Sequence, residues 1–108
     1  MIIVTTDVIE GKRIKKVIGL VKGNSVRAKV FIQDIIASLK NMVGGEISEY
    51  TQLIAQSREQ AIDRMMEDAK KKGANAVVGM RFTTAAIVES SAEILAYGTA
   101  VEIEEAKD

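Results

Sequence analysis

The sequence predicts an α+β domain in which two helices pack on one face of a mainly antiparallel sheet. Three observations predict this class: apolar residues alternate with period two early in the chain, recur at helical spacing in the middle, and alternate again in the last third. The expected element order is β-β-α-α-β-β. The chain has 108 residues, and a single core usually organises about 100 to 150 residues. Residues 1–108 are therefore expected to form one domain.

Two strands are predicted near the N-terminus. Residues 2–6 form a short apolar segment, and the loop after it ends at Gly11. Residues 12–22 alternate with period two, which is typical of a strand. Its first half is rich in lysine and arginine, which suits an exposed edge. Gly23-Asn24-Ser25 has the composition of a turn and predicts that the strand ends there.

Two helices are predicted in the middle of the chain, over residues 28–43 and 47–72. Gly44-Gly45 ends the first, and Gly73 caps the second after a last turn that contains three lysines. The apolar stripe of the second helix consists of Ile47, Tyr50, Ile54, Ala61, Met65 and Ala69, widened by Leu53, Ile62 and Met66.

Two further strands are predicted over residues 75–84 and 93–104, with a loop or bulge at 85–91 between them. In the first, Ala76, Val78, Met80 and Phe82 share one face. In the second, one face carries Leu95, Tyr97, Thr99, Val101 and Ile103 and is expected to be the core face. The other face carries Ile94, Ala96, Gly98 and Ala100, which are small enough for another backbone to approach closely.

The composition argues against several functional classes. Fifteen Lys and Arg balance fifteen Asp and Glu, so there is no overall basic field to attract nucleic acid or anionic lipid. Neither a signal peptide nor a membrane span is recognisable, which predicts a cytoplasmic protein. Cysteine and histidine are absent, which removes thiolate and imidazole chemistry. No catalytic constellation is visible, because Ser57, Ser90 and Ser91 have no histidine to activate them. We expect a protein that is not an enzyme.

One long segment carries a family resemblance. It reads GGEISEYTQLIAQSREQAIDRMMEDAKKKGANAVVGMRF and is accompanied by IVTTD near the start and AYGTAVEI near the end. Its most specific parts are R-E-x-A at residues 58–61 and A-x-x-x-G-A-N-A-V-V-G at residues 69–79. The chain resembles the YbjQ-like family of uncharacterised bacterial and archaeal proteins, over almost its whole length.

The resemblance implies how the chain assembles and does not imply which reaction, if any, it catalyses. It implies a subunit related in fold to the dodecin subunit, which forms a ring-shaped homopentamer in which short extra strands join neighbours. The family also carries a heavy-metal-binding label. This chain has no Cys or His to match that label, so metal is implied by the family label only and no cofactor is identified.

Two arginines are the first candidates for a functional site. Arg58 is expected inside or beside the buried stripe of the long helix, where its guanidinium requires partners. The partner is expected to be Glu49 or Glu102 at a subunit contact. Alternatively, Arg58, Tyr50 and Arg81 recognise an anionic or aromatic ligand between subunits. Arg81 is expected to point away from one core, toward solvent or a neighbouring chain.

Two other patterns have ordinary interpretations beside functional ones. Glu59, Asp63 and Glu67 follow i, i+4 spacing and offer oxygen ligands for a hard cation, yet a solvated charged face is the commoner outcome. Met65-Met66 invites a copper(I) interpretation, although methionine usually fills gaps in a core.

The leading hypothesis is a ring-forming homo-oligomer, a pentamer by resemblance, whose functional surface lies between subunits. The alternative is a protein that binds a small ligand or metal ion between subunits. A third, an enzyme that uses carboxylate and arginine chemistry alone, has no support in the sequence.

Overall fold

A computed structural model of the chain describes residues 1–28, 48–88 and 91–106. Its elements are β1 (Ile2–Ile3), β2 (Lys12–Ala28), α1 (Ser48–Lys71), β3 (Ala76–Val88) and β4 (Ser91–Glu105). The four strands form one sheet in the order β1-β3-β4-β2. β1 is parallel to β3, and the other neighbours are antiparallel. The α+β class and the mainly antiparallel sheet are therefore confirmed.

Three predicted segments differ from the structure or fall on residues that the structure does not describe. The helix predicted at 28–43 lies outside the described residues except for residue 28, which is the last residue of β2. The turn predicted at Gly23-Asn24-Ser25 is wrong, because β2 continues to Ala28 and pairs with β4 over this stretch. Of the loop or bulge predicted at 85–91, the structure shows a bulge, because the pairing of β3 with β4 shifts between Ala86 and Val88 while β3 continues to Val88 and β4 begins at Ser91. β2, β3 and β4 are each longer than the alternation indicated.

Gly23 explains why a strand can have the composition of a turn. The backbone of α1 crosses β2 at this residue so closely that a Cβ on Gly23 would lie 2.6 Å from the carbonyl carbon of Arg64, and closer still to Met65 N and Ala61 O. Gly23 does not have a positive φ. The glycine is required for space and not for a bend.

The helix rests on the sheet through a row of small or flexible residues. Ser57, Ala61, Met65 and Ala69 recur every four residues and are fully buried. The core on this side also contains Val21, Val77, Met80, Ala96 and Ala100. The helix therefore covers the small-residue face of β4, whereas the alternation of β4 predicted that the opposite face is the core face. The prediction is wrong for the larger core, because small side chains bring the helix backbone and the sheet together, while Val101 and Ile103 of the predicted face lie in a smaller second cluster. The close approach of another backbone to the small-residue face is confirmed.

A bulge at Gly79 changes which residues of β3 face the helix. Gly79 has a φ of 62°, and the pairing of β3 with β4 shifts between Val78 and Arg81. Val78 and Met80, predicted to share one face, lie in different core clusters as a result. An extra residue inserted into one strand reverses the alternation beyond it.

The N-terminal segment covers part of the opposite face of the sheet. A second, smaller cluster consists of Ala76, Val78 and Val101, with Val4, Ile9, Ile14 and Ile103 partly buried against it. The Val4 N–H donates to Val77 O at 2.9 Å, and the Gly79 N–H donates to Thr6 O at 2.9 Å. The N-terminal segment thus covers one end of this sheet face, and the surface discussed below as a candidate interaction site lies toward the other end.

The end of α1 is confirmed as a glycine cap. Gly73 has a φ of 86°, its N–H donates to Lys70 O at 3.1 Å, and the Ala74 N–H donates to Ala69 O at 3.0 Å. These two bonds form a Schellman motif, which satisfies carbonyls that the helix leaves free. Asn75 then joins the sheet, since its side-chain amide exchanges two hydrogen bonds with the backbone of Ile103.

Candidate interaction surface

The sheet face opposite α1 carries exposed apolar side chains among polar ones where the N-terminal segment does not cover it. We call this surface the open face. Its register places there the apolar residues Val17, Leu20, Val26 and Leu95 and the polar residues Lys22, Asn24, Arg81, Tyr97 and Thr99. The side chains of Val17, Leu20 and Val26 are 63%, 62% and 46% exposed, while Leu95 and Tyr97 are half-buried. Grouped exposed apolar residues with polar neighbours are typical of an interaction site.

A polar stripe crosses the open face. Arg81 is paired with Tyr97, and Tyr97 is paired with Lys22 on the other side. Directly paired residues on neighbouring strands have Cβ atoms about 5 Å apart. The stripe therefore sets a phenol between two cations.

A groove of about 450 Å³ runs from the open face around the edge of β2. It is lined by Lys22, Gly23, Asn24, Asp68, Glu93 and Leu95. The Asn24 side-chain amide donates to Glu93 Oε2 at 2.9 Å. The rim of the open face consequently carries charges of both signs.

Arg81 has a structural task within its own chain. Its Nη1 donates to Thr5 O at 2.8 Å and to Met80 O at 2.8 Å. The guanidinium thereby ties the N-terminal segment to the strand that follows the Gly79 bulge. An additional role for Arg81 between subunits stays a prediction.

Replacing Arg81 with methionine is expected to loosen residues 4–8 without unfolding the chain. Methionine keeps the apolar stem but leaves the two carbonyls without this donor, which costs about 1 kcal/mol for a partly solvated bond. Amide exchange at Gly79 and Met80, whose N–H groups donate to Thr6 O and Val4 O, should accelerate. The matched control is Arg58→Met, an exposed arginine for which no hydrogen bond or ion pair is found among the described residues. Equal exchange in both variants would contradict a tethering role.

The other predicted site residues do not gather around Arg81. Arg58 is exposed, so of the two expected positions, inside or beside the buried stripe, it occupies the one beside it. Helical rotation places its neighbour Ser57 inside the stripe. Glu102 pairs with Lys15 at 3.6 Å, about 16 Å along β4 from the Tyr97 position. Glu49 and Tyr50 fall in the first turn of α1, and their side chains lie outside the described part.

The basic half of β2 is neutralised by the acidic end of β4. Lys12 pairs with Glu105, Arg13 with Glu104 and Lys15 with Glu102. These pairs are largely exposed and therefore contribute little to stability. The prediction that the basic run lies on an edge strand is confirmed by the strand order.

The described residues offer no ready-made metal site. Within residues 1–28, 48–88 and 91–106, no group of three or more His, Cys, Asp or Glu side chains is placed to hold an ion. Glu59, Asp63 and Glu67 are exposed, as a solvated row would be. Met65 is fully buried in the helix core, which agrees with a packing role. Over the same part of the chain, no helix is long and apolar enough to cross a membrane.

Comparison with known proteins gives the family. A family model described as "Putative heavy-metal-binding", the YbjQ family, matches residues 1–104. The chain belongs to the YbjQ family. A UPF0145 protein of Clostridioides difficile is 52% identical over 97% of this chain and 94% of its own length. A UPF0145 protein of Vibrio parahaemolyticus is 53% identical over 97% and 100%. Another from Methanosarcina acetivorans is 52% identical over 95% and 97%.

A solved structure supports the fold of this YbjQ-family chain. It is a crystal structure of a protein of unknown function from Pediococcus pentosaceus, assigned to the DUF74 family. The two structures share a TM-score of 0.65 over 96% of this chain and 98% of the other. At 18% sequence identity the likeness extends to the fold alone.

The metal label of the YbjQ family does not fit the donors of this member. Heavy metals prefer thiolate and imidazole ligands, and the sequence contains neither. Of the described methionines, Met65 and Met80 are buried in the core beneath α1. No step of a mechanism is therefore assigned to a metal.

Proposed function

We propose that this chain is a non-enzymatic subunit of a homo-oligomeric, dodecin-like ring and that the open face is a contact between subunits. The exposed Val17, Leu20 and Val26 carry this proposal. Burying a valine or leucine side chain stabilises by about 1.5 to 3 kcal/mol relative to full exposure. Several such residues on every subunit supply a driving force for association. The number five comes from the family resemblance.

The charges of the chain favour contact between identical copies. Fifteen basic and fifteen acidic residues give a formal net charge of zero, so copies approach without overall repulsion. The open face itself carries Lys22 and Arg81, and Glu93 lies on the same face of β4. A second copy can therefore bring opposite charges together beside the exposed apolar side chains, and protein interfaces commonly combine both kinds of contact.

A second candidate is an anionic ligand held between subunits. The stripe of Lys22, Tyr97 and Arg81 favours it, because two cations beside a phenol suit a carboxylate or phosphate with an attached ring. Arg81 uses only Nη1 for its bonds to described residues. Its Nε and Nη2 face no acceptor among them.

Native mass spectrometry of untagged protein, purified without chelator, tests both candidates. The expected result is a species of five times the 11.7 kDa chain mass. Another multiple would retain the assembly and reject the pentamer, and a folded monomer at micromolar concentration would overturn the proposal. A stoichiometric anionic adduct that disappears in a Lys22→Ala variant would favour ligand binding.

A further inference from the structure

The outer edge of β2 is occupied by side chains of α1 and of Lys72, the residue that directly follows it. Among the described strands β2 is the last of the sheet, so alternate residues direct their N–H and C=O groups away from β4. Arg64 Nη1 donates to Asn24 O at 2.6 Å, and Lys72 Nζ donates to Leu20 O at 3.2 Å. Between them, the Lys22 N–H donates to Asp68 Oδ2 at 3.2 Å. Arg64, Asp68 and Lys72 thus bind three successive outward positions of one strand.

The spacing of these contacts follows from the geometry of the two elements. Residues four apart on a helix are separated by about 6 Å along its axis, and residues two apart on a strand by about 6.7 Å. Arg64, Asp68 and Lys72 therefore stay nearly level with Asn24, Lys22 and Leu20, in antiparallel order. One turn before Arg64, Gln60 contacts β2 in a different way, since the hydroxyl of the buried Ser25 donates to Gln60 Oε1 at 3.0 Å.

The charges within the row hold one another in place. Lys72 Nζ lies 3.4 Å from Asp68 Oδ2, so the same carboxylate binds both the strand and the next residue of the row. The contacts also alternate in kind, because Arg64 and Lys72 donate to carbonyls while Asp68 accepts from an N–H. The Leu20 and Asn24 carbonyls and the Lys22 N–H are among the groups that a neighbouring strand would bind.

We infer that Arg64, Asp68 and Lys72 form an edge guard that prevents a second copy of this chain from pairing strand to strand along residues 20–24 of β2. The guard occupies backbone groups that an added strand needs, and it sets three charged side chains in the path of that strand. An unguarded edge of this kind generates open-ended association, whereas a contact through a sheet face can close into a ring. The guard concerns the edge of β2 and is independent of whether the open face is the subunit contact.

A triple substitution tests the guard. Arg64→Ala, Asp68→Ala and Lys72→Ala together remove the row and keep a residue that favours the helix. The matched control is Arg58→Ala, Asp63→Ala and Lys70→Ala, which removes the same three residue types from exposed positions of α1. Light scattering after gel filtration should show the guard variant at least about tenfold heavier than the unsubstituted protein, with thioflavin T binding, while the control is unchanged. A folded guard variant of unchanged mass without thioflavin T binding would overturn the inference.

If the triple variant does not fold, single substitutions at Asp68 test the guard instead. Amide exchange at Lys22 is the readout, because its N–H donates to the Asp68 carboxylate. Asp68→Ala should accelerate this exchange about tenfold or more, and Asp68→Asn, which retains an acceptor oxygen, should accelerate it less. Exchange at Lys22 that is unaffected by Asp68→Ala would overturn the guard. Failure of the proposed ring alone would instead appear as a monomer whose Lys22 amide is still protected.

Discussion

Replacing Gly23 with alanine is expected to lower the unfolding midpoint by about 15 °C or more, the largest effect of any single methyl group in the described core. The new Cβ would lie against the backbone of α1 at Ala61, Arg64 and Met65. Backbone cannot move aside as a side chain does, so the helix must lift from the sheet. Forced overpacking of this kind costs about 3 kcal/mol or more, a large part of the roughly 5 to 15 kcal/mol that stabilises a small domain.

Gly11→Ala is the control that separates lack of space from backbone strain. Gly11 has a φ of 79°, and a methyl group added to it would have nothing within 4 Å. Its substitution should cost only the strain of a left-handed residue, about 1 to 2 kcal/mol. Thermal denaturation followed by circular dichroism compares the two variants. Equal midpoints would show that α1 does not press on β2 at Gly23.

Replacing Val17 with lysine is expected to dissociate the assembly. Val17 is 63% exposed on the open face, so lysine should be tolerated in a single folded chain. In an assembly that buries this face, each subunit would carry an ammonium into an apolar contact, which is costly unless the charge is paired. We expect the mass measured by light scattering at micromolar concentration to fall toward that of one chain, with an unchanged circular dichroism spectrum.

Val8→Lys provides the same chemical change away from the open face. Val8 is 70% exposed in the loop before β2. This variant should keep the mass of the unsubstituted protein. If Val8→Lys dissociates the assembly and Val17→Lys does not, subunits meet through the N-terminal loop and the open face is not the contact.

The sequence predicted the elements of the sheet better than the way in which they pack. Alternation located β2, β3 and β4, and helical spacing located α1 to within one residue of its observed start and end. The predicted end of β2 was wrong because of Gly23. A single sequence does not distinguish a glycine that leaves space for a packed helix from a glycine that forms a turn. Only the position of α1, a long-range fact, distinguishes them.

The faces of the strands and the guard were missed for a related reason. The bulge at Gly79 reverses the alternation of β3, and a single extra residue leaves no periodic signal of its own. Arg64 and Asp68 were not singled out in the sequence, and Lys72 was considered only as one of three lysines in the last turn of the helix. A signal was available in hindsight, because the four-residue spacing of Arg64, Asp68 and Lys72 runs alongside the buried row of Ser57, Ala61, Met65 and Ala69. What they bind depends on β2, which is about 40 residues away in the chain.

The unequal pitches of helix and strand limit how much of an edge one helix can protect. The two repeats differ by about 0.7 Å per step and so fall out of step by about 1.4 Å over the three positions from Lys72 to Arg64. The shortest side chain of the row, Asp68, lies in the middle, and the longer side chains of Arg64 and Lys72 at the two ends span the offset. Helix and strand positions therefore stay level with each other over only a few residues. A longer helix would increase this offset with every turn, so a β-sheet edge much longer than these three positions needs another means of protection.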